Sequence, residues 1–223
     1  MVIKLAIKYH LMHPRKTLDK LNYYIELASR FEEIYIEGVY QLLYESIKPE
    51  TTVLDIGAAI GDTAIYFAMN LNAKKVISYE PFPRAFNLLL KNTKKYPKIE
   101  CRQIAIGKKQ VKNIKDGNGY GINYDSENNN VGERIRSITL AEALKGLSNV
   151  VIKSDCEGAE GYMFNDADLS EVYAIQLEYH NNRDSTISSL EKKGFEIIQE
   201  DKPLPDVYER WHEGFGTIFA KKI

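Results

Sequence analysis

An α/β fold is predicted, with a mostly parallel sheet covered by helices on both faces and a helical amino-terminal cap. Three observations lead there. From residue 51 onward, short apolar runs alternate with amphipathic helical stretches, the pattern of strands joined by crossover helices. The last two apolar runs, Phe195–Gln199 and Gly216–Ala220, have no helical pattern between them, so one antiparallel strand is expected at the end of the sheet. Before all of this, apolar residues recur at helical spacing from Lys16 to Ile47, and Pro49 closes that region. The expected organisation is a cap over 1–48 and one α/β domain over 49–223.

The elements follow in order. In the cap, Leu18, Leu21, Ile25 and Ala28 form one stripe, and Phe31, Ile34, Val39, Leu42 and Leu43 a second. Tyr35, Tyr40 and Tyr44 share the second stretch and could roof a pocket, although such spacing also serves packing. Strands are expected at Thr52–Ile56, Lys75–Tyr79 and Ile99–Ile104, with helices at Thr63–Leu71 and Arg84–Lys95. Between Gly107 and Ser137 the alternation breaks; glycine and asparagine dominate, and the stretch reads as a hairpin followed by a mobile loop. A short helix near Leu140–Leu144, strands at Val150–Lys153 and Val172–Glu178, and a helix over Thr186–Lys193 complete the alternation.

Composition removes several function classes. With 223 residues, 44% of them hydrophobic and 27% charged, the chain can bury a core, so disorder, collagen and a disulfide scaffold are excluded. No run approaches the roughly 20 apolar residues that a membrane span needs. A formal net charge of −1 offers no general attraction to nucleic acid. Cys101 and Cys156 lack metal-type spacing, which points to a reducing, cytoplasmic setting.

The densest information lies at Val53-Leu54-Asp55-Ile56-Gly57-Ala58-Ala59-Ile60-Gly61. A buried strand runs into a glycine turn and a helix opens directly after it, so backbone N–H groups reach the carboxyl edge of the sheet, where doubly wound folds bind cofactors. Glu80 ends the next strand, where a carboxylate can accept hydrogen bonds from a ribose diol. The spacing G-x-x-x-G is not that of dinucleotide binders, and no G-K-[ST] follows. Asp55 would repel a pyrophosphate but attract the ammonium and sulfonium of S-adenosylmethionine. That methyl donor is therefore favoured over NAD; the plain alternative is a packing turn with Asp55 as a helix cap.

Four segments resemble the FkbM-type family of class I S-adenosylmethionine-dependent methyltransferases: VLDIGAAIGDTAIYFA (Val53–Ala68), YEPFPRAFNLLLKN (Tyr79–Asn92), VIKSDCEGAE (Val151–Glu160) and IQLEYH (Ile175–His180). The resemblance implies a Rossmann-like, seven-stranded, mostly parallel sheet with one antiparallel strand. It also implies O-methylation of a hydroxyl on a sugar or small metabolite. Carried onto this chain, the donor site comprises Asp55, Gly57, Ala58, Ala59, Gly61, Asp62, Thr63, Glu80, Pro81 and Phe82, with Gln103, Ile104 and Ala105 near adenine, and Asp155. Two positions depart from the family pattern: Ala59 stands where Asn is common, and Ser154 where an apolar residue is usual.

Catalysis is expected from Asp155, Glu178 and His180. Asp155 could bind the donor's amino group, orient the acceptor hydroxyl or take its proton; an N-terminal helix cap is the plain alternative. Glu157 and Glu160 crowd the same turn, with Glu160 read as structural and Lys153 as neutralising that turn. Glu178 and His180, two apart, share a face of a regular strand, so the carboxylate could fix the histidine's tautomer and leave it a general base. Asp155 with Glu178 could also hold a divalent ion, as in some small-molecule O-methyltransferases, but no tight ligand spacing marks one and no metal is expected. Two rival readings are weighed: a nucleic-acid methyltransferase, disfavoured by the proline-free, acidic Ser154-Asp155-Cys156-Glu157, and a nucleoside-binding module without catalysis.

Overall fold

The computed structural model describes residues 33–107, 135–156, 158–201 and 214–223. The chain divides into two compact units, Met1–Val39 and Tyr40–Ile223. In the first, the described part is one wide helical turn, Glu33–Glu37; the rest of the expected cap up to residue 32 lies outside the described residues. The helix α1 (Gln41–Ser46), expected as part of the cap, belongs to the second unit.

That second unit is built on a seven-stranded sheet. Its strands are β1 (Thr51–Ile56), β2 (Ala73–Tyr79), β3 (Ile99–Arg102), β6 (Val150–Ser154), β7 (Val172–His180), β8 (Phe195–Asp201) and β9 (Phe215–Lys222), in the spatial order β3-β2-β1-β6-β7-β9-β8. Pairing is parallel from β3 to β7. Strand β9 runs antiparallel to both β7 and β8, so the single reversed strand is present. It lies between two others, with β8 on the edge, because the chain turns back after β8 and fills the gap beside β7.

Burial explains the run-like strand sequences. All six residues of β1 and all five of β6 are buried, as a parallel sheet covered on both sides requires. The helices are α2 (Asp62–Ala68), α3 (Pro83–Thr93), α4 (Leu140–Leu144), α5 (Glu160–Met163) and α6 (Arg183–Lys192). Pro83 opens α3 at a position where its missing N–H costs nothing. A reciprocal cap opens α4: Thr139 Oγ1 accepts from the Glu142 N–H at 3.1 Å, and Glu142 Oε2 accepts from the Thr139 N–H at 2.9 Å.

Three sequence expectations shift. The third strand stops at Arg102, and Ala105–Ile106 (β4) instead pairs in parallel with Ser137–Ile138 (β5) as a separate two-stranded ribbon. The hairpin and loop expected between Gly107 and Ser137 fall on residues 108–134, outside the described residues. Tyr40 and Tyr44 take part in packing, the alternative their spacing offered: Tyr40 is 4% exposed with its ring 6.1 Å from Phe67, and Tyr44 lies 4.7 Å from Tyr66. Among the described residues, no helix is long and apolar enough to cross a membrane.

The strand order fixes where a ligand can sit. The chain leaves β1 toward β2 on one side and reaches β6 and then β7 on the other. Between adjacent β1 and β6 the winding direction reverses, which opens a crevice at their carboxyl ends.

Candidate functional site

Gly57 follows β1 and Asp155 follows β6, so both stand at that crevice. The two backbones nearly touch. A Cβ on Gly57 would come within 1.7 Å of the Asp155 carbonyl oxygen, and Gly57 has φ +74°. Only glycine satisfies both conditions. Gly61, at φ +92°, lets the start of α2 approach α3, where a Cβ would meet Leu89 Cδ1 at 2.7 Å. Ala59 also has a positive φ, 43°.

Two buried side chains hold this loop. Glu80, 5% exposed, accepts from the Ala59 N–H (2.9 Å) and the Phe82 N–H (2.8 Å), one on each carboxylate oxygen. It thereby ties the loop after β1 to the loop after β2. Lys153, 2% exposed, donates to the carbonyls of Gly57 (2.8 Å) and Ile56 (3.3 Å). The Lys153 role was not legible in the sequence, where it was assigned to the acidic turn; its Nζ instead lies 3.4 Å from Asp55 Oδ1.

Asp55 is accordingly an internal group. It is fully buried, accepts from Thr63 Oγ1 at 3.0 Å on both oxygens, and lies 3.4 Å from the Ser78 hydroxyl. Burial pushes its carboxyl above the usual range, with Lys153 and the Thr63 hydroxyl acting against that rise. The expected direct attraction between Asp55 and a cationic ligand is therefore corrected: its charge is met by Lys153, and what it orders is the loop and the start of α2. Asp62 opens α2 and accepts from the Thr63 N–H at 3.1 Å.

On the β2–β4 side, Pro81 is buried and Phe82 half-buried. Phe82 packs against a small apolar cluster of Ala105 and Ile135. Ile135 was missed because its sequence neighbourhood carries no periodicity. Ile104 packs on the main core, and Gln103 is exposed. Ala58 is completely buried.

On the other side of the crevice, Asp155, Glu178 and His180 come together. One carboxylate oxygen from each acid and one imidazole nitrogen lie within 4.8 Å of one another, and all three residues are half-buried. Strands β6 and β7 are adjacent, with Ser154 opposite Leu177, so register alone sets Asp155 beside Glu178. His180 Nε2 is 3.5 Å from Glu178 Oε1, and its Nδ1 is 4.0 Å from Glu160 Oε2. Glu160 is fully buried and accepts from the N–H groups of Cys156 (2.7 Å) and Gly158 (2.8 Å), the structural part expected of it. Glu157 lies outside the described residues. Ser154 is buried, with its hydroxyl 3.4 Å from Cys156 Sγ.

A cavity of about 560 Å³ opens at the opposite edge of the sheet, near Thr52, Lys75 and Ile99. It is remote from the strand ends that carry these groups, and its lysines are engaged: Lys74 with Glu50 and Lys75 with Glu100.

Comparison with known proteins bears on the family and the fold. Residues 55–197 match the methyltransferase FkbM domain. The antimetabolite synthetase AmbE of Pseudomonas aeruginosa is 22% identical over 253 residues, covering 86% of this chain and 12% of that protein. A Listeria monocytogenes protein described as an S-adenosylmethionine-dependent methyltransferase superposes with a TM-score of 0.51 at 14% identity, covering 83% of this chain and 97% of that one. A Streptococcus pneumoniae protein described as a tRNA (m1A22) methyltransferase, solved with S-adenosyl-L-methionine, gives 0.50 at 15% identity, covering 82% and 71%. At these identities the two structures establish the Rossmann-like fold.

Proposed function

The chain belongs to the FkbM methyltransferase family and is an S-adenosylmethionine-dependent methyltransferase, and from that premise we propose that it O-methylates a hydroxyl of a sugar or small metabolite. The observation that carries this reading is the contact between Gly57 and Asp155. It sets the loop expected to hold the donor against the cluster expected to receive the acceptor.

The residues present fit the donor. Each oxygen of Glu80 accepts one backbone N–H, and this carboxylate stands at the end of the second strand, the position that reads a ribose diol in doubly wound folds. Phe82 with Ala105 and Ile135 supplies an apolar wall for adenine, with Ile104 and Gln103 at its border. The backbone of Gly57, Ala58 and Ala59, with Gly61, Asp62 and Thr63 at the start of α2, surrounds the remaining polar end. When bound, the donor supplies an electrophilic methyl group on a sulfonium.

The chain's own task is alignment. Asp155, reached directly from the loop, orients the acceptor hydroxyl, and the group it forms with Glu178 and His180 provides for removal of the hydroxyl proton. Holding the oxygen near 3 Å from the methyl carbon in line with the breaking bond supplies much of the acceleration. A small-molecule acceptor is supported by the AmbE relation, since that protein is an antimetabolite synthetase, and by the net charge of −1. Two free thiols, Cys101 and Cys156, support a reducing, cytoplasmic setting.

Transfer of labelled methyl from S-adenosylmethionine across a panel of sugars and hydroxylated metabolites tests the proposal. Label on a hydroxyl oxygen of one acceptor is expected. Donor binding with no product across the panel would favour a binding module, and a salt-sensitive RNA complex that accepts label would favour nucleic acid.

A further inference from the structure

We propose that Asn182 is a positioning residue whose side-chain amide clamps the loop carrying Asp155 to the strand end carrying His180; this deepens the function proposed above and rests on it. Asn182 Nδ2 donates to the Gly158 carbonyl at 3.1 Å, and Asn182 Oδ1 accepts from the His180 N–H at 3.2 Å. One side chain thus joins two segments that are far apart in sequence.

The use of this side chain departs from its place in the chain. Asn182 opens α6, where an asparagine ordinarily accepts from an amide of the first helical turn. Here it makes no such bond, and its oxygen is turned to the His180 amide and to the Thr186 hydroxyl, 3.3 Å away. Packing serves the same contact. A Cβ on Gly161 would come within 2.9 Å of Asn182 Cβ, so the bare backbone of α5 lets the asparagine approach Gly158.

What is clamped is the short loop from β6 into α5. Its amides already have partners. The Asp155 N–H donates to Ile56 O at 3.0 Å, and those of Cys156 and Gly158 donate to the fully buried Glu160 at 2.7 and 2.8 Å. Glu160 therefore fixes the loop to its own helix, whereas Asn182 takes the Gly158 carbonyl and fixes the loop to the end of β7. That second constraint sets Asp155 relative to Glu178 and His180, whose polar atoms lie with that of Asp155 within 4.8 Å of one another. A carboxylate cannot replace the amide, because the amide nitrogen faces a carbonyl and its oxygen an N–H. Misplacing a reacting group by about 1 Å costs on the order of 100-fold in rate, so the clamp bears on turnover.

Asn182→Asp keeps the acceptor for His180 and a favourable helix opening but has no donor for Gly158; Asn182→Ala removes both bonds. Ser189→Ala is the control. It deletes the 2.9 Å hydrogen bond from Ser189 Oγ to Asn165 Oδ1, which also ties α6 to the segment after α5. Backbone hydrogen exchange, S-adenosylhomocysteine calorimetry and labelled-methyl transfer across the hydroxyl panel are measured on the parent chain and each variant. In both Asn182 variants the Cys156 and Gly158 amides should exchange about tenfold faster. Their kcat should fall roughly 10–100-fold with S-adenosylhomocysteine affinity unchanged, and Ser189→Ala should show neither effect. Unaltered exchange, or turnover equal to that of the parent, overturns the clamp and leaves the methyltransferase reading standing. An equal loss of turnover in Ser189→Ala also overturns it, since the effect is then one of general stability. If the parent binds no S-adenosylhomocysteine or transfers no label, the proposed function falls and the clamp's part in it falls too.

Discussion

Lys153 Nζ sits 3.4 Å from Asp55 Oδ1, with both side chains buried in the sheet. The lysine also donates to Gly57 O at 2.8 Å, so one buried ion pair links the centre of the sheet to the loop after β1. Lys153→Met leaves Asp55 buried without its cation, which costs about 3–5 kcal/mol. Urea unfolding measures it, and the double variant Lys153→Met/Asp55→Asn should recover part of the loss.

The same pair gives a pH dependence. Burial raises the Asp55 carboxyl, and Lys153 opposes the rise; without the lysine the rise is larger. A carboxyl with a raised folded-state pKa favours folding fully below its unfolded pKa, and that contribution is lost as pH climbs through the folded value. Relative to the parent chain, Lys153→Met should be most destabilised at neutral and higher pH and least near pH 4. Unfolding curves from pH 4 to 8 check the direction.

Glu80 holds the Ala59 and Phe82 amides together. Glu80→Ala frees both loops and removes the proposed ribose acceptor, so S-adenosylhomocysteine should bind roughly 10–100-fold more weakly, about 1.4–2.7 kcal/mol. Calorimetry reads this directly, and unchanged affinity would detach Glu80 from the donor.

His180→Ala should lower turnover about 100-fold or more and leave donor affinity nearly intact, because the histidine lies beside Glu178, on the side proposed for the acceptor. Turnover equal to that of the parent chain, with the true acceptor, would remove His180 from the reaction.

Gly57→Ala meets the Asp155 carbonyl and a positive φ together. Moving the loop to relieve the clash should cost at least about 2 kcal/mol, or roughly 4–8 °C of melting temperature for a chain of this size. A thermal melt followed by circular dichroism measures it.

Much of this architecture was legible from local pattern. Strands such as β1 and β6, buried along their whole length, leave an unbroken apolar signature, and Gly57 and Gly61 mark the turn between strand and helix. What stayed hidden depends on contacts far apart in sequence. The insertion of β9 between β7 and β8 follows from sheet pairing, which no local window records. Helix α5, four residues long, is too short for a period to show. Lys153 looked like a partner for the acids that follow it in sequence, but the alternation of side chains along β6 turns it toward β1 and Asp55. Asp155, Glu178 and His180 were legible as a group, since alternation along one strand pairs Glu178 with His180, and the register of β6 against β7 sets Asp155 beside them.

Isothermal titration of the purified chain with S-adenosylhomocysteine is the most direct measurement. Saturable heat at one site per chain is predicted, with a dissociation constant of about 10 µM or tighter, near −7 kcal/mol. Absence of both heat and thermal stabilisation at millimolar ligand would contradict a donor site between Gly57 and Glu80.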